Sequence, residues 1–133
     1  MSHLDHKHLI VNAVIRKPPK EGDEPFMVEW LDAVVKAVGM KVVIGPHAHY
    51  CKADGNNGIT ASVNIETSHA SLHVWDKTDP AIFRFDLYSC ATFDVDTVLD
   101  YIEGFQPVEL HWVLLDRNEK IGMKLEGYRK VHD

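Results

Sequence analysis

The sharpest periodicity in the chain lies at residues 81–88. Ala81, Phe83, Phe85 and Leu87 alternate with Ile82, Arg84, Asp86 and Tyr88. A period of two is the mark of a half-buried strand. The same reading applies to Ile59 to Ile65, where Ala61, Val63 and Ile65 share a face. His8 to Ile15, Lys41 to Ile44, Ser71 to Trp75 and Glu109 to Leu115 are short apolar or β-branched runs that also predict strands. A last edge strand is predicted from Met123 to Tyr128. Two segments change period. Met27, Leu31, Val34, Val35 and Val38 form a helical stripe that Gly39 stops, and Asp94 caps a helix bearing Val98, Leu99, Ile102 and Phe105. Turn chemistry separates these elements: Lys17 to Pro25, Asp54-Gly55-Asn56-Asn57-Gly58, and Asp76 to Pro80.

The element order is β-α-β-β-β-β-α-β, followed by the charged tail. Consecutive strands in the middle predict an α+β fold: a two-layer α/β sandwich with a mainly antiparallel sheet and both helices on one face. The other face is left bare. Its expected Trp, Phe and Leu content predicts that it meets a second copy, giving a homodimer.

Composition narrows the class. The 133 residues fit a single domain, 1–133, and 45% hydrophobic with 26% charged residues is a globular balance. No apolar run approaches the roughly 18 residues of a membrane span. Met1-Ser2-His3-Leu4-Asp5-His6 lacks the basic start and apolar core of a secretory signal, so a cytoplasmic location is expected. The net charge is -6. The short basic clusters, Arg16-Lys17 with Lys20 and Arg129-Lys130, sit beside acids, which argues against nucleic acid as a partner. A small-molecule substrate is expected, and the acidic balance mildly favours a cationic one. Cys51 and Cys90 make no disulfide framework and are expected as free thiols.

The candidate chemistry lies in Thr67-Ser68-His69-Ala70-Ser71-Leu72-His73-Val74-Trp75 and in Asp86-Leu87-Tyr88-Ser89-Cys90. Taken singly, each residue has a plain structural explanation, and Thr-Ser-His is a common polar turn. A serine hydrolase would need a Gly-x-Ser-x-Gly elbow, which is missing. His47, His49 and Cys51 alternate onto one side of an extended chain, but no second ligand pair accompanies them, so no metal is expected. His3, His6 and His8 are expected to be solvated.

In combination, Thr-Ser-His-x-x-x-His-x-Trp followed by Asp-Leu-Tyr-Ser-Cys resembles the processing and active-site region of prokaryotic S-adenosylmethionine decarboxylase proenzymes. The resemblance implies self-cleavage between Thr67 and Ser68, giving a β chain 1–67 and an α chain 68–133. Ser68 would become a covalent pyruvoyl cofactor. His73 would assist processing, supported by Thr60, and Cys90 would return a proton to the substrate carbon. Tyr50, Ile65 and Thr67 would contact substrate, with Tyr50 as a stacking aromatic. The sequence departs from the family pattern where Thr67 replaces Glu, Thr60 replaces a processing serine, Asp76-Lys77 replaces Pro-Glu and Ala91 replaces Gly, and the loop after Trp75 is slightly longer.

The implied chemistry is coherent. Decarboxylating an amino acid leaves a carbanion that needs an electron sink, and no ordinary side chain offers one. A pyruvoyl carbonyl supplies it within a short chain. S-adenosylmethionine, on the route to spermidine, is the expected substrate. Ornithine, arginine or an unprocessed non-enzymatic homologue are the alternatives.

Overall fold

The protein is described by a computed structural model covering residues 5–132, with side chains over 5–129. Its elements are β1 (Lys7–Ile15), α1 (Glu24–Ala37), β2 (Val42–Cys51), β3 (Gly58–Ile65), β4 (Ser68–Trp75), β5 (Ala81–Ser89), α2 (Val95–Ile102), β6 (Pro107–Asp116) and β7 (Lys124–His132), with a short 3-10 turn at Glu103–Phe105 after α2. The strands form one sheet in the order β2-β3-β4-β5-β1-β6-β7, antiparallel at every pairing. Both helices pack into one core, so the expected two-layer α/β sandwich is the observed one.

The helices follow their local signals. In α1, Met27, Leu31, Val34 and Val35 are buried, and Pro25 lies in the first turn, where its missing N–H has no helical partner to lose. The helix therefore starts before the expected stripe. It ends at Ala37 with Val38 as its C-cap, and Gly39 follows with φ +80. In α2 the Asp94 carboxylate accepts from the Asp96 amide at 3.0 Å.

Pairing fixes which side chains face the helices. Leu9, Val11, Ala61, Val63, Ala70, Leu72, Phe83 and Leu87 are all buried there. Burying a large apolar side chain contributes about 1.5–3 kcal/mol, which makes this the stabilising face. The intervening residues form the open face. His49, Thr60, His73, Arg84, Asn12 and His111 make one cross-strand row along it. The open face is thus largely polar, which corrects the expectation of a Trp-, Phe- and Leu-rich surface. Phe83, Phe85 and Leu87 alternate toward the helices, while Trp75 and Leu115 do lie on the open side.

Several strands exceed their expected lengths, among them β7, which runs four residues past Tyr128 to His132, and two that bear on the site. β2 continues past Ile44 through Gly45-Pro46 to Cys51, with register shifts at Val42/Ile44 and Ile44/His47. An edge strand tolerates a proline and irregular pairing. β4 begins at Ser68, three residues before its apolar alternation.

Candidate functional site

Ile65 pairs with Ser68, so Glu66 and Thr67 alone make the turn between β3 and β4. Thr67 has φ +55. A β-branched residue in that left-handed region is an outlier. The following Ser68 is 5% exposed, and its Oγ accepts the Cys90 amide at 2.9 Å. The Thr67 hydroxyl lies 2.7 Å from the Glu66 carbonyl and 3.1 Å from the Cys90 sulfur. It has one proton, so it donates to the thiolate or to the carbonyl, not to both. The turn is anchored by the Glu66 amide on the Lys41 carbonyl, and the end of β5 by the Asp5 amide on the Cys90 carbonyl.

This setting holds the Cys90 thiol below its ordinary range. The Ser68 hydroxyl is the main cause, followed by the Thr67 hydroxyl; partial burial and the charge of Glu66 oppose them. A hydroxyl, the carbonyl of a positive-φ residue and a thiol held below its ordinary range are therefore grouped at one end of the sheet. Ile65, buried beside Ser68, completes the group.

His73 and Thr60 form a separate pair, with the Thr60 hydroxyl 3.0 Å from His73 Nδ1. They face each other across β3 and β4 on the open side. His73 is five residues along β4 from Ser68, roughly 17 Å at strand rise, and on the opposite face. Within one chain the structure does not bring the two together. Tyr50 is also remote. It pairs with Ile59, at the far end of β3 from Ile65, and is 7% exposed within the core. Its hydroxyl donates to Asp76 at 2.8 Å. Burial first, then this bond and the charges of Asp76 and Glu21, push it up to about 12.

Beside Cys90 the open face holds a cluster that sequence reading missed. His8 Nε2 lies 2.8 Å from Asp86, and His69 Nε2 lies 3.7 Å from the same carboxylate oxygen. Tyr88 packs against His6, His8 and His69, and its hydroxyl lies 2.6 Å from His6 Nδ1. His6 and His8 are therefore partly buried and engaged, not solvated; His3 lies outside the described residues. The His8, His69 and Asp86 donor atoms fall within 4.8 Å of one another. Among the described residues this trio, rather than His47, His49 and Cys51, could hold a cation. The Arg117 guanidinium lies 3.2 Å from His8 Nδ1 and can only donate. That places the His8 proton on Nε2, directed at Asp86, and makes a hydrogen-bonded relay the resident arrangement. Only the strand register reveals this cluster, since its members come from β1, β4 and β5.

The fold and site thus define a two-layer α/β domain that carries a buried serine after a positive-φ turn residue, beside a thiol held below its ordinary range. A model of the family described as S-adenosylmethionine decarboxylase matches residues 7–118. The chain belongs to that family. No curated protein matched the chain. The matched span includes Thr60, Thr67, Ser68, His73 and Cys90. Among the described residues no helix is long and apolar enough to cross a membrane.

Proposed function

We propose that this chain is a proenzyme that cleaves itself between Thr67 and Ser68 and then decarboxylates S-adenosylmethionine, feeding spermidine synthesis. Family membership supports the decarboxylase activity. The observation that carries the processing step is the Thr67-Ser68-Cys90 geometry. The Ser68 hydroxyl adds to the Thr67 carbonyl, the C–N bond breaks, and an ester replaces the amide. Strain at Thr67 is relieved as this bond breaks. Removal of the Ser68 α-proton and loss of the ester oxygen leave the Thr67 carboxylate and an enamine at residue 68. Tautomerisation, addition of water and departure of ammonia then give a pyruvoyl group. These residues fit that cofactor, because Ser68 opens a strand and its Oγ is held in place before cleavage. The group supplies the carbonyl that accepts the electrons of decarboxylation. Cys90, at the end of the neighbouring strand, is placed to deliver a proton at the same end of the sheet.

The active unit we propose is a homodimer of cleaved chains. His73 reaches a Ser68 only from a second copy, because the two are roughly 17 Å apart along β4. The polar open face is the surface through which the copies would meet. Mixing Ser68→Ala and His73→Ala chains tests this. Cleavage of the His73→Ala chain in the mixture supports the dimer, and no cleavage argues against it.

One observation bears on the substrate. Tyr50 is in the core and cannot stack an adenine near Ser68. That removes Tyr50 as the stacking aromatic, and ornithine and arginine, which have no base to stack, stay as the alternative substrates. Intact mass of the purified protein tests the processing: fragments 1–67 and 68–133 are expected, the latter pyruvoyl-blocked. A single uncleaved chain with no activity would support the unprocessed homologue. Carbon dioxide release from the three substrates at matched concentrations decides among them.

A further inference from the structure

The helix layer carries a pocket of about 530 Å³ between the β1–α1 loop, the first half of α1 and the end of α2. Its wall is aromatic. Phe26 and Phe105 meet edge to face with centroids 6.4 Å apart, Phe105 and Trp30 lie 5.3 Å apart, and Trp30 and Tyr101 6.5 Å apart. That volume and lining suit a small organic molecule.

The wall is held in place by the chain itself. The Lys17 amide donates to the Phe105 carbonyl and the Arg16 amide to the Gln106 carbonyl, each at 3.0 Å, which ties the loop to the turn after α2. The Trp30 indole N–H donates to the Tyr101 carbonyl at 3.1 Å, which ties α1 to α2. Pro18 and Pro19 stiffen the loop by fixing φ.

Two charges of opposite sign line the pocket, and neither is used. The Lys17 ammonium and the Asp100 carboxylate have no hydrogen-bond or ion-pair partner among the described residues, and they do not pair with each other. Asp23, also on the wall, accepts the Lys20 amide at 2.8 Å and so serves its own loop. An ammonium that only donates and a carboxylate that only accepts, beside one aromatic wall, match a molecule with both charges and an apolar body.

We propose that this pocket binds a free α-amino acid with an aromatic side chain, its carboxylate on Lys17, its ammonium on Asp100 and its ring against Phe26, Trp30 and Tyr101. The site lies apart from the decarboxylase centre. Its residues belong to the helix layer and the loops beside it, not to the open face. It adjoins the end of β1 at Ile15, whereas Ser89, next to Cys90, pairs with the start of β1 at Lys7. Those two ends are eight residues apart, roughly 26 Å at strand rise.

The test titrates the full chain with four probes, read by calorimetry and ligand-observed NMR. L-phenylalanine carries both charges and a ring, phenethylamine lacks the carboxylate, 3-phenylpropionate lacks the ammonium, and glycine lacks the ring. Saturable binding of L-phenylalanine is expected, with each of the others at least about tenfold weaker, because each loses a charge-assisted contact or the apolar body. Lys17→Gln should weaken L-phenylalanine about tenfold and leave phenethylamine unchanged, and Asp100→Asn should weaken L-phenylalanine about tenfold and leave 3-phenylpropionate unchanged. Both side chains are exposed, and an unchanged thermal midpoint will show that the fold survives. An amine can also condense with a pyruvoyl carbonyl, so the titration is repeated on Ser68→Ala chains, which lack its precursor hydroxyl. The same affinity there separates this site from the decarboxylase reading, and its loss would overturn the proposal. So would phenethylamine binding as tightly as L-phenylalanine, equal affinity of wild type and both variants, or no binding of L-phenylalanine at millimolar concentration.

Discussion

The two ends of the β3–β4 hairpin use glycine in opposite ways. At the far end Gly58 opens β3 where a Cβ would lie 1.8 Å from the Val74 carbonyl oxygen, so no other residue fits. At the near end the turn requires a positive φ, which glycine adopts freely, yet Thr67 stands there at +55. The far end obeys packing. The near end keeps a residue that its conformation disfavours, and the Thr67 hydroxyl touches the Cys90 sulfur. Strain retained where relief is one substitution away points to chemistry rather than stability.

The strongest break in this comparison is Ser68→Ala, which should abolish cleavage, leaving a single mass equal to the whole chain. Gly58→Ala should damage only the far end's packing. A clash with backbone cannot be relieved by a rotamer change, so a loss above about 4 kcal/mol is expected, read by chemical denaturation. His73→Ala should slow cleavage by about 10²–10⁴ as a proton carrier is lost, followed by gel over time. An unchanged rate would return the Thr60–His73 pair to a structural role.

Thr67→Gly sharpens the contrast. In an uncleavable Ser68→Ala background it should raise stability by about 0.5 kcal/mol. Relief of left-handed strain, about 1–2 kcal/mol, exceeds the entropic penalty of glycine, about 0.5–1 kcal/mol. With Ser68 present the same change should slow cleavage. The smallest effect is a shift in pH. The Cys90 thiol is held below its ordinary range by the Ser68 and Thr67 hydroxyls, so its thiolate fraction at neutral pH exceeds that of free cysteine. In slow-cleaving His73→Ala chains, alkylation of Cys90 should reach half its maximal rate at a lower pH than alkylation of free cysteine measured alongside. Adding Ser68→Ala removes the largest cause and should move that midpoint up.

The sequence made some of this legible and hid the rest for physical reasons. β5 and α1 were readable because one of their faces is buried, which writes a period into the residues. β2 was read only to Ile44, because an edge strand with two wet sides has no such period and Gly45-Pro46 resembles a stop. Ser68 to Ala70 looked like a turn because the strand opens with a serine, buried for its hydroxyl rather than its apolarity. The grouping of Thr67, Ser68 and Cys90 followed from motif spacing. The distance from Ser68 to His73 also follows from strand rise, and it separates two residues that the motif places side by side. The relay of His8, Asp86 and His69 needs the register of three strands, which no linear spacing encodes.

The sheet order has a consequence for a chain nicked after Thr67. Segment 1–67 would keep β1, β2 and β3, and segment 68–133 would keep β4 to β7. These do not divide the sheet into two blocks. β1 lies between β5 and β6, so one strand of the first segment is laced between strands of the second. Pulling the pieces apart would unzip three interfaces, β3 with β4, β5 with β1, and β1 with β6. The nick therefore frees a chain end without freeing a fragment. The new terminus can move locally while the rest of the sheet stays stitched, and separated pieces could rejoin only by refolding around one another.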